Sequence, residues 1–172
     1  FLSENAVEAH YVERNAELCR IAEHNFQLYR PHIQVHNTTA ESFLSSLPHH
    51  PLAQRPLPNS AASHTLIYLD PARRSQSGGK VFRIEDCEPN VIELLPTLRM
   101  HADRILIKFS PMLDITAALR VLGSDWDTHI VAVNNEVKEV LILTGTGLMH
   151  AVNICTTHTD TICFTEQEEK LA

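Results

Sequence analysis

Apolar and polar positions follow one rhythm through most of this chain and another near its end. Early on, Ala9-His10-Tyr11-Val12-Glu13 reads as a short strand that ends in an acid. Asn15 then suits a helix N-cap, since its side-chain oxygen can accept from the open amides of a first turn, and Leu18, Ile21, Ala22 and Phe26 follow at helical spacing. That helix is expected to stop before Pro31, which lacks an amide hydrogen. Ile33-Gln34-Val35-His36 is the next strand, and Thr38 or Thr39 caps a helix carrying Phe43, Leu44 and Leu47. Residues 1 to 8 are read as the tail of an earlier helix.

The segment 48–63 contains Pro48, Pro51, Pro56 and Pro58 without periodicity and is read as a loop. Order returns at Thr65 to Leu69, a buried-strand pattern. A polar loop through Ser77-Gly78-Gly79 follows, then a helix from about Asn90 to Arg99, the strand Arg104 to Phe109, and a helix from Ile115 to Leu122. After that the rhythm changes. His129 to Val133, Val137 to Leu143, Ala151 to Cys155 and Thr161 to Phe164 are short strands with no helices between them, which predicts hairpins. Strand and helix alternating, then strands alone, predicts an α/β fold with a doubly wound, mostly parallel sheet and an antiparallel ending. Ligands of such sheets bind beyond the carboxyl ends of the strands.

Length and charge narrow the classes. At 172 residues the chain is long enough for one core and is read as one domain, 1–172. It has no apolar run of about 18 residues and no basic leader before an apolar stretch, so a soluble, cytoplasmic protein with no membrane partner is expected. A net charge of −7 excludes a surface that grips nucleic acid everywhere, because such binding needs Lys and Arg on phosphates. Cys19, Cys87, Cys155 and Cys163 form no CxxC pair, and the His49-His50 pair has no third ligand at a usable spacing; no metal is expected.

The strand ends carry the candidate chemistry. Glu13 closes the first strand, where an acid can accept from both hydroxyls of a ribose. Asn37-Thr38-Thr39-Ala40-Glu41 follows the second with small polar groups. Asp70-Pro71 closes the third: the carboxylate can accept from a substrate amine or hydroxyl, and the proline fixes the backbone beside it. Each also has a plainer reading, Glu13 as a surface acid, Thr39 as a helix cap and Asp70-Pro71 as a turn.

In this order, "AHYVERNAELCRIAEHNF", "NTTAESFL" and "LIYLDPARR" resemble class I S-adenosylmethionine-dependent methyltransferases, and most closely the bacterial RNA-type methyltransferases with a THUMP-like domain after the catalytic one. The run "DPARR" with the following "GGKVFRIEDCEPN" is the most specific part. The resemblance implies a Rossmann-like methyltransferase fold and S-adenosyl-L-methionine as cofactor. It places Glu13 and Arg14 on the cofactor ribose side, Thr39 and Ala40 along the adenine, and Asp70 and Pro71 in the methyl-acceptor motif that related enzymes write as DPPY, NPPY or DPPR. Asp70 would also face the cofactor. Ala72 departs from that motif, and no aromatic follows it. The resemblance further expects a first strand and a glycine-rich loop ahead of Phe1; Gly78, Gly79, Gly123, Gly145 and Gly147 all lie far downstream.

Carbon methylation of a pyrimidine needs a cysteine nucleophile. Lys108-Phe109-Ser110-Pro111 has none where the resembling uracil enzymes carry one, and Cys87 has no evident role, so transfer to nitrogen or oxygen is favoured. Between Pro71 and Glu85, Arg73, Arg74, Lys80 and Arg83 against Glu85 leave four minus one, or +3. That local charge suits an RNA or nucleotide-like substrate held by Arg73, Arg74, Lys80 and Lys108. Pairing of Arg73 or Arg74 with Asp86 or Glu88 is the equal alternative. At the level of the whole chain, a catalytically degenerate domain that binds nucleic acid or protein stands as the second reading. A nicotinamide-dependent oxidoreductase is disfavoured by Asp70-Pro71.

Overall fold

In the computed structural model the described residues are 6–30, 32–48, 64–73, 83–123, 125–134, 136–144, 153–156, 161–164, 168 and 171. The expected loop 49–63 and the glycines at 78 and 79 lie outside them, as do Arg74 and Lys80. The chain gathers into two compact units, Phe1–Pro48 and His49–Ala172.

The first unit is a strand-helix-strand-helix sequence: β1 (Ala9–Glu13), α1 (Ala16–Tyr29), β2 (Ile33–Asn37) and α2 (Ala40–Ser46). Residues 6–8 are irregular rather than helical. β1 and β2 pair in parallel, from Ala9 beside Ile33 to Glu13 beside Asn37. Asn15 caps α1 as its sequence position requires, its Oδ1 accepting from the amides of Glu17 at 2.9 Å and Leu18 at 3.3 Å. Such a cap is worth about 1 kcal/mol over alanine. α1 buries Cys19, whose thiol donates to the Glu13 carbonyl at 3.1 Å, and Phe26 meets Tyr11 edge-on at 5.5 Å. These contacts fix the turn that carries Glu13.

The second unit begins with β3 (Leu66–Leu69) and a two-residue ladder of β4 (Ala72–Arg73) with β5 (Cys87–Glu88), the latter following a 3-10 turn at Ile84–Asp86. The peptide bond Glu88-Pro89 is cis. Then come α3 (Val91–His101), β6 (Arg104–Phe109), α4 (Ile115–Leu122), β7 (Trp126–Val133), β8 (Glu136–Thr144), β9 (Asn153–Thr156) and β10 (Thr161–Phe164). Asn90 caps α3, and Gly123 ends α4 at a φ of 98° that a residue with a Cβ would adopt only under strain. α3 contains the exposed Pro96, which offers no amide hydrogen to the carbonyl of Ile92 one turn earlier.

Six strands form one sheet in the order β10-β9-β7-β8-β6-β3. β3 with β6 and β7 with β9 are parallel, and the other three pairs are antiparallel. The sheet is therefore mixed rather than mostly parallel. The hairpins expected of the C-terminal strands exist between β7 and β8 and between β9 and β10. β9, however, skips β8, whose other edge is already taken by β6, and adds in parallel to β7. Asn134, at φ 51°, starts the β7–β8 turn in the left-handed region that Asn tolerates.

Burial alternates strictly along β6, which places Ile105, Ile107 and Phe109 on one face. Ile107 lies opposite Ile142 and Phe109 opposite Val140, so the buried residues of β8 share that face, and Thr128 of β7 joins them. Val91, Leu94 and Leu98 of α3 with Ala118 and Leu122 of α4 complete the core. Trp126 ties α4 to the sheet, its indole N–H donating to the Leu122 carbonyl at 3.1 Å. Arg99, paired with both oxygens of Asp125, also lies 5.7 Å from the centre of the Trp126 ring. No helix among the described residues is long and apolar enough to cross a membrane.

Candidate functional site

The opposite face of β6 carries Arg104, Leu106 and Lys108, all half-buried. Tyr68 lies beside Leu106 in the parallel β3–β6 register, so Tyr68 and Lys108 stand on one face near the carboxyl ends of both strands. Asp70 follows two residues after Tyr68. Its Oδ2 meets the Lys108 ammonium at 2.6 Å, a charge-assisted contact. β8 adds Glu139, two residues from Leu141, the partner of Lys108. One end of one sheet face thus assembles a phenol, two carboxylates and an ammonium.

The electrostatics follow from this arrangement. The hydrogen bond to Asp70 raises the Lys108 pKa above its ordinary 10.5, partly offset by burial, with the charges of Asp70, Tyr68 and Glu139 adding smaller upward pushes. Burial, then the Asp70 charge, raises that of Tyr68 above 10.0, while Lys108 pulls it down. Lys108 is consequently a permanent cation and Tyr68 a neutral phenol at physiological pH, and neither acts as a base. Asp70 and Glu139 supply the carboxylate acceptors of the cluster. One Asp70 oxygen is held by Lys108 and the other has no partner among the described residues, while 51% of the Asp70 side chain is open to solvent. Lys108, expected from the sequence to meet substrate, here orients Asp70.

Both raised values have the same consequence for stability. The folded pKa exceeds the unfolded one, so the stability these groups contribute is complete below about pH 10 and declines as pH rises through the folded values. Denaturant midpoints are expected to fall as pH rises above about 10, and Tyr68→Phe combined with Lys108→Met to flatten that fall. An unchanged slope in the double variant would count against the cluster.

The remaining candidates are placed as follows. Glu13 stands at the carboxyl end of β1 in the first unit. Its Oε1 accepts from the Asn15 amide at 2.7 Å, and Oε2 has no partner among the described residues. Asn37 braces the turn by donating to the carbonyls of Glu13 and Arg14, both at 3.0 Å. The Thr39 hydroxyl caps α2, accepting from the Ser42 amide and donating to the Ser42 hydroxyl, both at 3.2 Å. Its plainer reading as a cap is therefore realised, and Ala40 begins the helix. Pro71 is half-buried after Asp70. The backbone of Arg73 pairs with Cys87 across β4–β5. Cys87 is fully buried, which removes it as an attacking thiol. Two members of the cluster escaped the sequence reading. Tyr68 was detectable, since alternation puts it on the Asp70 side of the strand. Glu139 depends on the register of β8 and left no local signal.

No protein-family model matches this sequence, and no curated protein does. Among solved structures, the chain is similar to one from Porphyromonas gingivalis described as a putative methyltransferase. The two are 29% identical, with a TM-score of 0.71 over 99% of this chain. The match spans 41% of that protein's length. The chain accordingly shares a mixed α/β fold with a structure described as a methyltransferase.

Proposed function

We propose that this chain is catalytic sequence of an S-adenosylmethionine-dependent methyltransferase that modifies a nitrogen or oxygen of RNA or a nucleotide-like substrate, in a protein that also carries a THUMP-like domain. The observation that carries the reading is the likeness, along 99% of the chain, to a structure described as a methyltransferase. Two strand ends, one in each unit, offer the acceptors such a reaction uses: in the first, Glu13 Oε2 is open among the described residues, as a ribose hydroxyl requires; in the second, one Asp70 oxygen is open among them, as a substrate N–H or O–H requires.

S-adenosylmethionine supplies a methyl group on a sulfonium. Glu13, steadied by the Asn15 amide, would hold the cofactor by accepting from a ribose hydroxyl through Oε2. Asp70, turned by Lys108, accepts from the attacking amine or hydroxyl, which orients its lone pair and draws on the positioning that lowers such barriers. The proton that the acceptor sheds goes to Asp70 or onward to water, since Lys108 and Tyr68 are both already protonated. The cations at Arg73, Arg74 and Lys80 serve the phosphates of the substrate.

Calorimetric titration of S-adenosylmethionine into the protein tests the cofactor half. Glu13→Ala removes charge-assisted hydrogen bonds worth about 1.5–3 kcal/mol, so the dissociation constant is expected to rise about ten- to a hundredfold. Unchanged affinity would remove Glu13 from the site. RNA binding without cofactor binding would favour the catalytically degenerate reading.

A further inference from the structure

The first unit holds a side-chain cluster that the methyl-transfer reading does not use. His10 on β1 lies opposite Gln34 and His36 on β2 lies opposite Val12, so the two histidines are diagonal neighbours on one sheet face. His10 Nδ1 is 3.0 Å from His36 Nε2. The other His10 nitrogen, Nε2, is 3.3 Å from Glu8 Oε1, which also accepts from the Gln34 amide at 3.2 Å. The Phe43 ring lies against both imidazoles, its centre 5.5 Å from His10 and 4.7 Å from His36.

This network sets the tautomers. The Glu8 carboxylate only accepts, so His10 carries its proton on Nε2 and presents a lone pair on Nδ1. His36 then donates through Nε2. A carboxylate behind an imidazole whose second nitrogen faces outward is the usual outer-shell support of a metal-bound histidine.

The spacing of the two facing nitrogens indicates which metals suit them. Nitrogen ligands at about 2.0–2.1 Å from one ion are about 2.9 Å apart at a right angle and about 3.3 Å apart at the tetrahedral angle. The observed 3.0 Å is set by the hydrogen bond between the two rings; a right-angled pair of ligands changes that spacing least when an ion replaces the shared proton, and of the ions with that geometry, copper(II) and nickel(II), copper(II) binds the more tightly. We propose that His10 and His36 form a bidentate site for a tetragonal divalent ion, copper(II) foremost, with Glu8 as the outer-shell group that orients His10. To bind, each ring turns by about 45° so that its lone pair leaves the N···N line, and His36 moves its proton to Nδ1. Among the described residues no group of three or more His, Cys, Asp or Glu is placed to hold a metal. Water or a small ligand therefore fills the remaining positions. The His10 side chain is 31% exposed, which gives the ion access.

The test is titration of copper(II) into the purified, untagged protein in a non-coordinating buffer, followed by electron paramagnetic resonance. A tetragonal spectrum with coupling to two nitrogens is expected at one equivalent. His10→Gln and His36→Gln should each weaken binding at least tenfold, and Glu8→Gln should weaken it about tenfold by loosening the His10 tautomer. The chain has eleven histidines, so a paired His49→Gln, His50→Gln variant serves as the control and should leave the first equivalent unchanged. Binding that survives His10→Gln and His36→Gln, or that disappears only in the control, overturns the proposal. So does the absence of a two-nitrogen spectrum in a protein whose circular dichroism is native.

Discussion

Asp70→Ala is expected to lower methyl transfer to an RNA substrate about a hundred- to thousandfold while leaving the affinity for S-adenosylmethionine within a fewfold of wild type. In the proposed mechanism the variant lacks the group that would align the attacking atom and take up its proton, which sets the size. Asp70→Asn keeps an acceptor oxygen but loses the charge and the pairing with Lys108, so it should fall between wild type and alanine. Lys108→Met leaves the carboxylate in place without its orienting cation, and a loss of about tenfold is expected. Incorporation of labelled methyl at saturating cofactor, compared across the three variants, reads this order directly. A fully active Asp70→Ala protein would end the assignment of Asp70, whatever the state of the cofactor site.

The second large effect concerns stability. Ile107 is fully buried in the middle of β6, opposite Ile142, which is equally buried. Ile107→Ala removes three methyl or methylene groups from the buried face of β6 and leaves a cavity there, at a cost of about 2–5 kcal/mol. For a chain of this length that lowers the melting temperature by roughly 10 °C. Ile107→Val should cost about 1 kcal/mol. A thermal melt in which both variants match wild type would mean that β6 is not the centre of the core.

How far the sequence carried this structure differs from element to element. β6 and α4 were legible to the residue, because Arg104 to Phe109 is a short apolar, β-branched run bounded by a loop on each side and Ile115 to Leu122 follows Asp114, whose side chain caps the helix. β1 was legible as a short apolar run closed by Glu13. β7 starts at Trp126, three residues before its expected beginning, because Asp127 and Thr128 look like loop residues until the sheet on either side buries them. The order of the sheet was not legible at all. Local pattern shows that β9 is a strand, but only the closed edges of β8 send it to β7. The candidate site shows the same division. Asp70 and Lys108 were each visible as strand-end polar groups, whereas their 2.6 Å contact depends on a parallel register across nearly forty residues. That contact gives Lys108 a partner that its sequence position did not announce. At Thr39 the local signal for a cap is realised through the Ser42 amide.

The place of β3 at the end of the sheet order bears on how the protein acquires its shape. β7 and β8 are joined by residues 134 and 135 alone and pair at eight positions, so they can zip together in about 1–10 μs. β3 must instead find β6 across 38 residues, from Leu66 to Arg104, and among the described residues it is held along one edge only. Its amide hydrogens should exchange with solvent sooner than those of β8. Asp70 and Pro71 therefore extend from a terminal strand of the sheet order, where small readjustments disturb the core less than they would beside β8.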